Sequence, residues 1–154
     1  MKTNAMRILE SLGIDYAIRS YQWDEDHLDA VHAAHSLGMD EEQVCKTIVM
    51  RNQDNQVFVF VLPAPFDINL KKARQVTGSR EIDLVKAGEL RALTGYIRGG
   101  CSPLGMLKNH PVFLEETIQL QERICVSAGQ RGLQLFLAVS DLAKATHAVF
   151  ADLI

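Results

Sequence analysis

The sequence predicts an α+β fold with a mixed or largely antiparallel sheet. Three observations carry this. Short runs at helical spacing alternate with short runs rich in β-branched and aromatic residues. Two pairs of such strand-like runs are joined by brief polar or glycine-bearing turns, as in hairpins. The long, regular crossover helices that a doubly wound parallel sheet needs are missing. Helices and hairpins mixed in this way favour α+β over α/β.

Each element follows from its residues. Thr3–Leu12 reads as a helix, with Met6, Leu9 and Leu12 on one face and Gly13 as a stop. Tyr16–Tyr21 alternates like a strand. Asp29 can cap a second helix whose Val31, Ala34 and Leu37 line one face before Gly38. Val44–Arg51 and Val57–Leu62 are strands around the polar turn NQDNQ. Asn69–Val76 and Lys86–Leu93 read as short helices, the first stopping near Gly78. Arg123–Ala128 and Leu133–Val139 are strands joined by GQRG, and Ser140 or Asp141 can cap a last helix before the closing HAVFADLI.

The chain has 154 residues, a length suited to one domain, 1–154, with a buried core. Hydrophobic residues make up 47% and charged residues 23%, ordinary for a globular protein. No apolar run approaches the ~20 residues of a membrane helix, and the amphipathic N-terminus does not resemble a signal peptide. A cytoplasmic protein with no membrane partner is expected. The formal net charge of −3 gives no support to a DNA partner, although a small basic patch facing one RNA end is compatible with it. Three cysteines without CxxC spacing argue against a disulfide framework or structural zinc. His32 and His35 share a helix face but lack a third ligand, so neither a metal nor another cofactor is expected.

Two segments carry candidate chemistry. Thr94–Gly105 reads TGYIRGGCSPLG, with four glycines. It matches neither the P-loop nor the dinucleotide pattern. It is either a ligand loop whose glycines let backbone N–H groups approach closely, or a tight turn. Cys101 and Ser102 lack a histidine nearby in sequence, and GCSPLG lacks the hydrolase elbow, which disfavours a protein nucleophile. Lys46 lies in the largely apolar VCKTIVM. It is either an edge-strand lysine reaching water or an ammonium at a pocket rim, meeting a phosphate or carbonyl oxygen. Ser127, where a strand meets a turn in VSAGQRG, either bonds backbone or faces a site.

Taken together, KTNAMRILESLGI, DAVHAAHSLGMDEEQVCKTIV, NLKKARQVTGSREI, TGYIRGGCSPLG, VSAGQRGLQL and FADL resemble the YbaK family of aminoacyl-tRNA editing proteins, nearly end to end. The family is also seen as the inserted editing domain of bacterial-type prolyl-tRNA synthetases. The free-standing Cys-tRNA(Pro) deacylases are the nearest branch. The resemblance implies a mixed, barrel-like sheet of six or seven strands with helices around it. It implies a deacylase that clears cysteine from the 3′ end of mischarged tRNA(Pro), the substrate thiol attacking its own carbonyl, with Cys-tRNA(Cys) as a further substrate. The alternatives are an Ala-tRNA(Pro) hydrolase using water, or a non-catalytic module that binds acylated tRNA or a synthetase. By the same resemblance Lys46 is the essential lysine, with Thr47 beside it. Tyr96, Gly99, Gly100 and Ser102 belong to the substrate loop, and Tyr21 and Ser127 shape the pocket. Ester cleavage needs its oxyanion stabilised, and the backbone N–H groups around Gly99 and Gly100 are the expected oxyanion hole. The chain departs from the family at Gly105–Lys108, where Leu107 replaces a lysine, and near Leu28, where the family places an aromatic. The net acidity implies help from a partner, prolyl-tRNA synthetase or an elongation factor.

Overall fold

The computed structural model describes residues 2–154. In chain order the elements are α1 (Asn4–Ser11), β1 (Ala17–Ser20), α2 (Ala30–Leu37), β2 (Cys45–Asn52), β3 (Val57–Pro63), α3 (Leu70–Thr77), β4 (Ile82–Leu84), α4 (Ala87–Thr94), β5 (Val112–Glu115), β6 (Arg123–Ser127), β7 (Leu133–Ala138), α5 (Val139–Thr146) and β8 (Val149–Ala151). The expected α+β class is found. The strands divide between two sheets, one ordered β1-β7-β6 and the other β4-β2-β3-β5-β8. The larger sheet is mixed: β3 runs antiparallel to β2 and parallel to β5.

β3, VFVFVLP, has no exposed residue and organises the core. Its side chains alternate between two faces. Val57, Val59 and Val61 enter a core with Ala5, Met6 and Leu9 of α1 and with Val126, Leu135 and Leu137 of the smaller sheet. Phe58, Phe60 and Leu62 enter a second core with Ala73 of α3, Met50 and Leu153. A strand covered on both faces reads as a continuous apolar run, as this one does.

Side-chain caps set most helix starts. Thr3, Asp29 and Asn69 accept hydrogen bonds from the amides of Met6, His32 and Lys72, respectively. The NQDNQ turn is closed by Asn52, whose Oδ1 accepts from the amides of Asp54 and Gln56, each at 3.0 Å. The expected cap of the last helix is corrected. Neither Ser140 nor Asp141 caps α5, which follows β7 directly with Ala138 in the cap position. The first helical amide, Val139, donates to the Glu122 carbonyl, 3.0 Å away. In α2 the buried stripe centres on Ala33 and Ala34, with Val31 and Leu37 only half-buried.

Strands β4, β5 and β8 were not anticipated. Two of them have three residues and one has four, too short for a period to show. They exist because a partner strand receives them: β4 on β2, β5 on β3, and β8 on β5. The fully buried Glu115, at the end of β5, accepts from the Leu153 amide at 3.0 Å and from the Thr117 amide at 2.7 Å. It ties the segment after β8 to the larger sheet.

One glycine is demanded by backbone contact. Gly105 has φ +70°, and a Cβ there would lie 2.7 Å from the Asn4 carbonyl carbon and 2.9 Å from the Ala5 nitrogen. Gly105→Ala is expected to cost about 2–4 kcal/mol through positive-φ strain and overpacking against the start of α1. Gly88, in α4, has open space around its missing Cβ. Gly88→Ala should stabilise by about 0.5–1 kcal/mol. Denaturant unfolding of both variants measures the contrast, and equal stabilities would contradict the packing described.

Candidate functional site

The two sheets meet where an isolated parallel bridge joins Val44 to Cys125. Ala33 and Ala34 of α2 cover this junction together with Met39, Tyr21 and Phe136. Their small side chains let the helix approach closely. Next to the junction lies an open cavity of about 390 Å³.

Residues from every nearby element converge on it. Cys45, Lys46 and Thr47 come from the start of β2, and Ser127 and Gln134 from β6 and β7. Tyr21 stands just beyond β1, its amide held by the Gly132 carbonyl at 3.0 Å. Leu28, Asp29, Ala30 and Ala33 form the wall on the α2 side, and Ala64, Pro65 and Asp67 that after β3. Gly99 and Cys101 close the cavity from the glycine-rich loop.

Of the residues singled out from the sequence, Tyr21, Lys46, Thr47, Gly99 and Ser127 line this one cavity. β4 pairs only with Met50–Asn52, so the start of β2 has an open edge there. Lys46 uses that edge to reach the cavity rim, its side chain 27% exposed and its Nζ 3.7 Å from Asp67 Oδ1. Asp67 is fully exposed, so solvent screens this pair and leaves the ammonium available to a ligand.

Tyr96, Ser102 and Gly100 do not line the cavity; they hold the loop that does. Tyr96 is buried, donates its hydroxyl to the Leu104 carbonyl at 2.5 Å, and packs its ring against Gly129. Ser102 is fully buried, and its Oγ accepts from the Leu104 amide at 3.2 Å. The Gly100 amide donates to the Ile97 carbonyl at 3.0 Å, so the expected two-amide oxyanion hole at Gly99 and Gly100 is corrected: this donor is spent in a turn. A Cβ on Gly100 would come within 3.0 Å of the Gln130 and Arg131 backbone, which accounts for the glycine. Gly99, at φ +84°, passes close to Leu28 and Arg131.

Arg131 fastens this arrangement. Its Nε donates to the Arg98 carbonyl at 2.9 Å, and its guanidinium lies over Trp23, 5.3 Å from the ring centroid, within cation–π reach. The loop 97–100, the GQRG turn and the segment after β1 are thereby joined.

Sequence reasoning missed Arg131, Gln134 and the cavity-facing role of Asp29, seen there only as a cap. Gln134 had a faint signal: a polar residue at the start of an otherwise apolar strand. Thr47 Oγ1 and Gln134 Oε1 are buried with no protein hydrogen-bond partner among the described residues. Buried polar atoms are nearly always paired, so two orphans in one cavity mark it as built for a polar ligand. The histidines go elsewhere: His32 stacks on His27 and His35 contacts Glu41.

All three cysteines are free thiols. Burial pushes the Cys45 thiol strongly upward. Burial raises Cys101 to about 12 against a lowering hydrogen bond to Thr94, and raises Cys125 to about 11 against the pull of Arg19. A thiol is nucleophilic as thiolate, so Cys101 is poorly suited to attack at neutral pH.

The chain belongs to the aminoacyl-tRNA editing domain family, whose model matches residues 24–145. Among its relatives is an Enterococcus faecalis protein named "Putative Cys-tRNA(Pro)/Cys-tRNA(Cys) deacylase EbsC". It is 40% identical over 152 residues, covering 99% of this chain and 93% of that protein. A solved structure titled as a putative trans-editing enzyme for prolyl tRNA synthetase superposes with TM-score 0.82 at 21% identity, covering 99% of this chain and 98% of that one. The hypothetical protein APE2540 gives TM-score 0.89 at 22% identity, covering 98% and 99%. At these identities the two structures show likeness of fold.

The thiol environment makes a direct prediction. Alkylation of the folded protein by iodoacetamide at pH 7.5 should run about a hundredfold slower than that of the denatured chain, and speed up as pH rises. Peptide mapping that finds Cys101 fast-reacting in the folded protein would restore it as a nucleophile.

Proposed function

We propose that the chain clears cysteine from Cys-tRNA(Pro) by deacylation, with the substrate's own thiol as nucleophile. The observation that carries this reading is the composition of the cavity. An available ammonium and two side-chain oxygens without a protein partner among the described residues face it, while burial holds its cysteine thiols protonated.

The substrate is an ester between the cysteinyl carbonyl and the terminal ribose. Attack by the substrate sulfur forms a carbon–sulfur bond, giving a four-membered thiolactone, and breaks the carbon–oxygen bond. The ribose oxygen leaves and takes a proton; water then opens the thiolactone to free cysteine. Lys46 holds the ribose or terminal phosphate, fixing the ester for attack. The Thr47 hydroxyl, free of protein partners, donates to the developing oxyanion in place of the Gly100 amide, beside Gly99. Tyr21 and Ser127 shape the amino-acid end. Ser127 Oγ accepts from the Gly129 amide at 3.2 Å, which leaves its own proton to offer. Alanine has no thiol and is spared by this chemistry.

Lys46→Ala should lower single-turnover deacylation of Cys-tRNA(Pro) by about a hundredfold or more with an unchanged melting temperature. Full activity in that variant would remove Lys46 from the site. Cys101→Ala should stay within about twofold of wild type, since its thiol is protonated at neutral pH.

With a net charge of −3, the chain also depends on a partner such as prolyl-tRNA synthetase or an elongation factor for tRNA selection. The isolated protein is expected to cleave Cys-tRNA(Pro) and Cys-tRNA(Cys) at similar rates and to spare Ala-tRNA(Pro). Strong discrimination between the two cysteinyl tRNAs without any partner would contradict this dependence.

A further inference from the structure

Gln134 is the polar residue that the reaction outlined above leaves without a task. It lies on β7, opposite Ser127 on β6 and Arg19 on β1. Only 6% of the residue is exposed, yet it lines the cavity, and its Oε1 has no protein hydrogen-bond partner among the described residues. An amide oxygen left in this condition is costly to the fold unless a ligand completes it.

The surroundings say which end of the amide is free. Burial pushes the Tyr21 hydroxyl upward, while the Gly132 backbone and the Gln134 side chain act in the opposite direction. Oε1 is the end of the Gln134 amide that finds no protein partner among the described residues. Asp29 also lines the cavity and lies near enough to Tyr21 to disfavour its ionisation. Gln134, Tyr21 and Asp29 therefore form an acceptor-rich side, whereas Lys46 supplies a positive charge by Asp67.

An orphan acceptor selects a donor. The aminoacyl part of the ester carries one strong donor group, the α-ammonium, whose burial without an acceptor is costly. A cysteinyl S–H is a weak donor by comparison. We propose that Gln134 Oε1, supported by the Asp29 carboxylate, recognises the α-ammonium of the substrate, so that the site reads a free amino terminus and rejects N-acylated esters. This rests on the aminoacyl-ester reading and adds a recognition rule to it. Lys46 and Gln134 then orient the ester from opposite chemical ends, ribose and amine.

The test compares Cys-tRNA(Pro) with N-acetyl-Cys-tRNA(Pro), in which the thiol is intact and only the ammonium is lost. Wild type should show kcat/KM about ten- to a hundredfold lower for the acetylated ester. Gln134→Leu should cleave both at the lower rate, and Gln134→Glu should restore the preference for the free amine. Equal cleavage of both esters by wild type, or an unaltered preference in Gln134→Leu, would overturn the assignment. A second measurement does not depend on the variants folding. The wild-type side-chain amide of Gln134 is followed by 15N NMR during titration with 3′-(L-cysteinylamido)-3′-deoxyadenosine and its N-acetyl derivative. The free-amine probe alone should shift the Gln134 resonance. If Thr47 responds and Gln134 does not, the amine assignment fails while the ester site stands. If neither residue responds and neither tRNA is cleaved, the deacylase reading itself fails and the assignment with it.

Discussion

The parallel bridge between Val44 and Cys125 is the contact on which the rest of the molecule depends. It brings the open-edged start of β2 against β6, so that two sheets share one interior. Because β4 pairs only with the far end of β2, no strand fills the space beside Cys45–Thr47. Ala33 and Ala34 seal the junction from outside without occupying it. A cavity at the meeting of two sheets is thus a consequence of pairing, and it is where polar side chains from both sheets face one another.

The glycine-rich loop closes that cavity as a fastened piece of backbone. Tyr96 and Ser102 are both anchored on Leu104, and Arg131 holds the Arg98 carbonyl while lying over Trp23. Gly99 and Gly100 are small because Leu28, Arg131 and Gln130 pass so close. Residues that look from their motif like substrate contacts here include several whose contacts are with the loop itself. Such bracing is what a site needs if its geometry is to be set before the ligand arrives.

The unpartnered atoms express the opposite tendency. The fold satisfies Glu115, deep in the larger sheet, with two backbone amides, but leaves Thr47 Oγ1 and Gln134 Oε1 unpaired in the cavity. Polar atoms completed in the core and left open at a cavity separate structural burial from functional burial. The raised thiols of Cys45 and Cys101 belong to the same picture, since burial disfavours their nucleophilic thiolate form.

Much of this was legible in the residues. The caps at Thr3, Asp29 and Asn69, the hairpin around NQDNQ and the apolar run of β3 are local, so a short window of sequence contains the groups that decide them. Lys46 drew notice because an ammonium in an apolar strand needs an explanation. The sequence by itself therefore determined the class of fold, most of its elements and the two segments on which the cavity is built. Tertiary structure decided what no window contains. Strands β4, β5 and β8 exist through distant partners, and the first amide of α5 is taken by a remote carbonyl. The Gly100 amide is consumed by Ile97, whereas Gln134, unremarkable on β7, meets Tyr21 and Asp29 only after three separate segments pack together. Which polar atoms find partners depends on the whole chain's packing, and at this cavity it leaves Thr47 Oγ1 and Gln134 Oε1 open.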